Sequence, residues 1–139
     1  MANWFYQDKK ITSIEDCPKD AVGFVYMLLL VTGEWYIGRK MLFSTVTRPP
    51  LKGEKKKRKI TKVSNFLTYK SSHKDIKNCD EWEIQKRIII DWGMSKKHTT
   101  YLESHALFVM NALTNPLCLN GNIQGKFFPA DIPGNEKIK

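Results

Sequence analysis

Acidic side chains are in short supply in this chain of 139 residues: 14 Asp and Glu stand against 23 Lys and Arg, and the formal net charge is +9. Cysteine is sparser still. Cys17, Cys79 and Cys118 are odd in number and form no Cys-x-x-Cys pair, which excludes a disulfide framework and a cysteine zinc site as organising devices. A reducing, cytoplasmic setting is expected. Long hydrophobic runs are missing too, the longest being Ala21 to Val31, and Met1 to Lys10 lacks the basic-then-apolar pattern of a signal peptide. A soluble protein without membrane contact is expected. There is no internal repeat, and no pair of carboxylates has the spacing of a two-metal site. The length suits one domain over 1–139, large enough for a core without staples.

The cations that are present are concentrated. From Lys52 to Lys59, six of them (Lys52, Lys55, Lys56, Lys57, Arg58 and Lys59) face only Glu54, so this short segment supplies +5. A dense basic patch attracts a polyanion and gains from counterion release, which favours nucleic acid and makes binding strong but indifferent to sequence. A solvated loop that keeps the protein in solution is the plainer alternative.

Residues Val22 to Val31 are apolar on both faces, the pattern of a strand at the centre of a sheet. Thr32-Gly33-Glu34 reads as a turn and Trp35 to Arg39 as the returning strand of a hairpin. An N-terminal arm, 1–20, holds Trp4, Phe5 and Tyr6 and suits either an added strand or a packed arm. Lys40 to Lys62, with Pro49-Pro50 and Gly53, is expected to be largely an exposed loop of unusual length. Ser64 is a candidate cap for a short helix through Phe66, Leu67 and Tyr69. Glu81 to Asp91 sets Trp82, Ile84, Ile88 and Ile90 on one parity and predicts a third strand. Ser95 then caps a helix in which Leu102, Ala106, Val109, Met110 and Leu113 share a face, and Asn115-Pro116 ends it. Leu117 to Phe128 is a glycine-punctuated return, and 129–139 reads as a polar tail. The expected class is α/β of the α+β kind, a small central antiparallel sheet of about three strands flanked by helices, with its core over about 22–128.

Gly23-x-x-Tyr26 on one strand and Tyr36-Ile37-Gly38 on the next resemble the signature segments of the GIY-YIG nuclease family, and more narrowly its small phage-encoded, homing-type members. Tyr69-Lys70-Ser71-Ser72-His73-Lys74 resembles that group's Tyr-x-Gly-Ser-Ser-Lys segment. Tyr101-Leu102-Glu103 falls on a helix, as the family's acidic residue does, and Leu119-Asn120-Gly121 stands where its terminal asparagine belongs. The resemblance runs from about Val22 to Phe128. It departs from the family pattern in three places: one extra residue separates Gly23 from Tyr26, Ser71 replaces a glycine, and the nearest candidate for the family's arginine, Arg48, comes two residues late and directly before Pro49-Pro50.

The resemblance implies an endonuclease that hydrolyses DNA phosphodiester bonds at a single site with one Mg²⁺ or Mn²⁺ ion. The alternative is a module that keeps the fold and binds nucleic acid with little or no chemistry. Hydrolysis needs an activated water, stabilisation of phosphoryl charge and usually a divalent cation. Glu103, at the edge of the helix's apolar stripe, is the implied metal ligand, able to hold Mg²⁺ through one direct contact and several waters. Tyr26 is the implied base or relay, and since phenols ionise near ~10 it needs a cationic neighbour or metal-bound water; plain core packing suits strand tyrosines equally well. For Tyr26 and Tyr36 to share a face, paired positions must sum to an even number. A Thr32-Gly33-Glu34 turn sets Tyr26 opposite Lys40 and Tyr36 opposite Leu30, whereas a Thr32-Gly33 turn sets Tyr26 opposite Arg39; the first is expected. Tyr36 then positions substrate, and Gly38 allows backbone or phosphate a close approach. Arg48 is the first candidate for phosphoryl charge, with Arg39 and Lys40 as rivals. Ser72, His73, Lys74 and Asn120 are candidate phosphate contacts, His73 also as a proton relay, with Lys55, Lys56, Lys57 and Arg58 along the backbone. His105 lies away from Glu103 on the helix. The expected partner is double-stranded DNA, met by a monomer or by a homodimer whose two sites would cut both strands.

Overall fold

The computed structural model describes residues 2–135 and 137; of the expected tail 129–139, residues 136, 138 and 139 lie outside them. Two short strands open the chain, β1 (Trp4–Tyr6) and β2 (Lys9–Ile11), so the N-terminal arm is an added hairpin. The central hairpin is β3 (Gly23–Leu30) and β4 (Trp35–Met41), a second hairpin is β5 (Phe43–Arg48) and β6 (Arg58–Val63), and β7 (Ile84–Gly93) follows the short helix α1 (Lys74–Asn78). The main sheet has five strands in the order β2-β1-β7-β3-β4. It is wider than the three strands expected, and β1 runs parallel to β7 while the other pairs are antiparallel. Apolar β3 takes the central position its pattern demands. The class is α+β, as the sequence suggests.

The β3–β4 turn is one residue earlier than expected. Leu30 N–H donates to the Glu34 carbonyl at 2.8 Å and Gly33 N–H to the Leu30 carbonyl at 3.0 Å, with Gly33 at φ +90°. The loop is Val31-Thr32-Gly33, because the last position of a three-residue loop takes the left-handed backbone that glycine tolerates best. The register therefore slips by two, setting Tyr26 opposite Gly38 and Leu28 opposite Tyr36. A slip of two preserves parity, so the tyrosines do share a face. Lys40 stands opposite Phe24 instead, its ammonium 4.2 Å over the Tyr69 ring.

Other expectations are corrected as well. Residues 43–63 are mostly strand, since Thr45, Val46, Thr47, Ile60, Thr61 and Val63 are β-branched and only 49–57 loop between them. Ser64 starts no helix; its hydroxyl donates to the Met41 carbonyl at 2.7 Å, and the one-turn helix comes later, after His73. Strand β7 carries irregularities where Val25 and Tyr26 pair with Asp91 and Ile89, and where Leu29 and Leu30 pair with Lys86 and Ile84. These bulges break simple alternation, so Ile84, Arg87, Ile89 and Trp92 are buried while Ile90 is exposed; Trp82 lies in a 3₁₀ turn before the strand and is exposed.

Helix α2 (Lys96–Val109) begins as expected, the Ser95 hydroxyl accepting from His98 N–H at 2.9 Å. It ends at Met110, where Asn111 turns left-handed (φ 53°), and not at Asn115. Its buried face is Thr99, Glu103, Ala106 and Leu107; Val109 and Met110 of the expected stripe are exposed. That face packs on Val25, Trp35 and Ile37 on one side of the sheet. The other side buries Trp4, Phe24, Tyr26 and Leu28 under Phe66 and Ile76. No helix among the described residues is long and apolar enough to cross a membrane.

Candidate active site

Strand β4 is the sheet's edge, and its alternation sends neighbouring residues to opposite faces. Tyr36 points to the side of Tyr26, their ring centroids 6.3 Å apart, and Arg39 points with Val25 and Ile37 toward α2. There Arg39 Nη1 meets Glu103 Oε1 at 2.7 Å. The same oxygen accepts from Gln124 Nε2 at 2.8 Å. Because β4 is at the edge, the two faces meet around it in a cavity of about 290 Å³ lined by Tyr36, Arg39, His73, Glu103, Asn120 and Gln124.

Tyr26 is fully buried, edge-on to Trp4 at 5.2 Å, with its hydroxyl 3.4 Å from Ser71 Oγ. Burial holds its phenol well above the ordinary range, and the nearby Tyr36, Tyr69 and Glu103 push the same way. Burial also raises Tyr36, against an opposing hydrogen bond from Ser72. Both phenols are thus neutral donors at neutral pH. The cation expected beside Tyr26 is over Tyr69. Gly38 faces Tyr26, and a Cβ there would collide with the Tyr26 hydroxyl and lie 2.6 Å from Cζ. The space opened by glycine, expected for backbone or phosphate, is filled by the phenol.

A measurable consequence follows in alkali. Below about pH 10 Tyr26 is protonated in both folded and unfolded chains and contributes nothing to pH dependence. Above that, the unfolded phenol ionises while the buried one keeps its proton, so stability falls as pH rises, by about 1.4 kcal/mol per unit until the folded phenol titrates. Denaturant melts from pH 9 to 11.5 should show a shallower alkaline decline in Tyr26→Phe than in wild type.

His73 places its ring 5.3 Å from Tyr36, its N–H donates to Ser71 Oγ at 3.0 Å, and its Nδ1 is buried without a hydrogen-bond partner among the described residues. Ser72 and Lys74 flank it and are exposed. Asn120 reaches neither Glu103 nor open solvent: its side chain accepts from Ile37 N–H at 2.9 Å and donates to the Ile37 carbonyl at 2.8 Å, closing the edge of β4. Arg48 is paired with Arg58 at the far end of the β5–β6 hairpin, about 17 Å along the strand from its root. Arg48, Lys55, Lys56, Lys57 and Arg58 do not line the cavity, whereas Arg39, one of the two rivals to Arg48, does and meets Glu103. His105 stacks on Tyr101, centroids 6.4 Å apart, and is exposed. Gln124 was not legible beforehand; its one local signal is the Asn122 side chain accepting from Gly125 N–H, a turn that sets Gln124 at φ 53°.

Among the described residues no three His, Cys, Asp or Glu side chains form a metal cluster. The donor set still fits a hydrated Mg²⁺, which commonly takes one carboxylate and keeps its waters. Glu103 directs Oε1 to Arg39 and Gln124, which leaves Oε2 for such an ion.

Compared with known proteins, residues 4–123 match the family model described as "Putative endonuclease segE, GIY-YIG domain". No curated protein and no solved structure matches the chain.

Proposed function

The chain belongs to the GIY-YIG family of endonuclease domains, and on that premise we propose that it hydrolyses phosphodiester bonds of double-stranded DNA at one divalent-metal site. The observation that carries this reading is the meeting of Arg39 and Glu103 at 2.7 Å in a polar cavity that also holds Tyr36 and His73. A guanidinium there can grip phosphoryl oxygens in bidentate fashion as charge develops on them. Glu103 would hold Mg²⁺ or Mn²⁺, which supplies Lewis-acid stabilisation and a more acidic water when bound. Tyr36, a neutral phenol, donates a hydrogen bond that orients the substrate. His73, which lines the cavity beside Tyr36, is the candidate proton relay. Tyr26 touches no substrate and acts as a positioning residue, filling the space over Gly38 and holding Ser71.

Ser72 and Lys74, exposed beside His73, are suited to the flanking phosphates, and Lys40 remains a cation near Tyr69. Asn120 serves the site by fixing strand β4. The three free cysteines suit a reducing, cytoplasmic setting. A monomer would nick, and a homodimer would cut both strands.

Plasmid incubated with the chain should be nicked or linearised in Mg²⁺ or Mn²⁺, remain intact in EDTA, and remain intact with Glu103→Ala. Cutting that survives both chelation and substitution would defeat the proposal. Two observations favour a second reading, a binding module without chemistry: Tyr26 is wholly enclosed, and Glu103 is already engaged by two donors. Salt-sensitive DNA binding with no metal-dependent cleavage of any duplex would select it.

A further inference from the structure

The β5–β6 hairpin is a two-stranded ribbon that belongs to neither core layer. It leaves the domain at Leu42, which is fully buried, and returns at Ser64, whose N–H donates to the Leu42 carbonyl at 2.8 Å. Between them, residues 43–63 carry eight cations against Glu54 alone, +7 of the chain's +9. A lone ribbon with neither face fully buried is marginal in water, yet β-branched residues fill it. A solvated loop would need neither the strands nor their paired register.

That register sorts the ribbon into two faces. One presents Phe43 opposite Val63, Thr45 opposite Thr61 and Thr47 opposite Lys59, and all six residues are exposed. The other presents Val46 opposite Ile60 and Arg48 opposite Arg58, with Val46 and Arg58 half-buried. Lys55, Lys56 and Lys57 crowd the tip.

We infer that this ribbon enters the major groove of duplex DNA, its threonine face toward the base edges and its tip and arginine pair on the phosphates. The B-form major groove, about 12 Å wide, admits a two-stranded ribbon, and threonine hydroxyls and methyls suit base edges and the thymine methyl. A six-residue strand reaches about 20 Å, enough to cross the groove. The root also fits: Phe43 lies four positions after Arg39, so the ribbon springs from the end of the strand that carries the cavity's arginine. This assignment rests on the nuclease reading for its duplex substrate, but it concerns binding, and the test is made without cleavage.

The test uses Glu103→Gln in EDTA with a pool of 40-base-pair duplexes of randomised sequence. Bound chain should shield guanine N7, a major-groove atom, from dimethyl sulfate and leave adenine N3 in the minor groove open. Adding Lys55→Ala, Lys56→Ala and Lys57→Ala should weaken binding to all duplexes and flatten the log–log salt dependence by about 0.9 for each charge removed. Adding Thr45→Ala and Thr61→Ala should instead keep that slope and relax base preference about tenfold at the contacted positions. Duplex RNA, whose deep major groove is too narrow for side chains, should compete poorly. Protection of N3 alone, unchanged slope in the lysine variant, an unchanged recovered sequence profile in the threonine variant, or equal competition by duplex RNA would each overturn it. Full N7 protection by a chain that never cuts plasmid would uphold the ribbon and sink the nuclease reading; cleavage by a wild type whose ribbon variants behave alike would do the reverse.

Discussion

At saturating protein, single-turnover cleavage of duplex DNA should fall about 10²- to 10³-fold in Arg39→Ala and stay near the wild-type rate in Arg48→Ala, whose loss should show in DNA affinity instead. Removing one preorganised donor to developing charge costs this much in enclosed sites. Arg39 is held by Glu103 at 2.7 Å inside the cavity, whereas Arg48 stands at the ribbon's far end beside Arg58. Arg39→Lys should recover only part of the loss, since an ammonium restores charge but not the planar fork. Both variants should melt near wild type, because the Arg39 side chain is 37% exposed and a pair so placed contributes little to stability. If Arg48→Ala were the slow variant and Arg39→Ala the fast one, the ribbon would carry the phosphoryl contact and the cavity would lose its claim to the chemistry.

Arg87→Met should cost about 3 kcal/mol of stability and lower the melting temperature by about 10 °C. Arg87 is 2% exposed, its guanidinium 4.0 Å over the Trp4 ring, and it donates to the carbonyls of Ala2, Leu67 and Tyr69. Methionine keeps much of the packing but orphans those carbonyls, each of which costs about 1–3 kcal/mol if left dry, less where the backbone relaxes to water. Burial already works against the charge, so the bonds are what retain it. The consequence reaches the site. Leu67 and Tyr69 lead into Ser71, Ser72 and His73, so cleavage measured well below the melting transition should also slow. A melting temperature within about 2 °C of wild type would show that water replaces the guanidinium without loss.

Arg87 was hidden because it sits in a strand whose alternation is broken twice. Parity counted from Ile84 puts it on the solvent side, and only the irregularity opposite Leu29 and Leu30 turns it inward. The same limit explains the ribbon. Pro49, Pro50, Gly53 and the lysines of 55–57 mark a loop, but the β-branched residues on either side pair across it, and the charge run hid them. Helix α2 shows the complementary case: its start is set by one local hydrogen bond at Ser95, whereas its inward face depends on what lies beneath it.

The sequence by itself determined the parts that depend on neighbours a few residues apart. These are the central strand, the hairpin that returns from it, the Ser95 cap, the shared face of Tyr26 and Tyr36, and the family those motifs point to. Parity survives a turn displaced by one residue at each end, which is why the shared face held while the partners changed to Gly38 and Leu28. Only the tertiary structure decided which arginine meets the carboxylate, that Gln124 joins them, that Asn120 closes the strand edge, and that Tyr26 fills the space over Gly38. Arg39 and Glu103 are 64 positions apart and on opposite sides of any local pattern. They meet because an edge strand turns one side chain to each layer and α2 packs under that edge, and no local hydrogen bond or alternation encodes that placement.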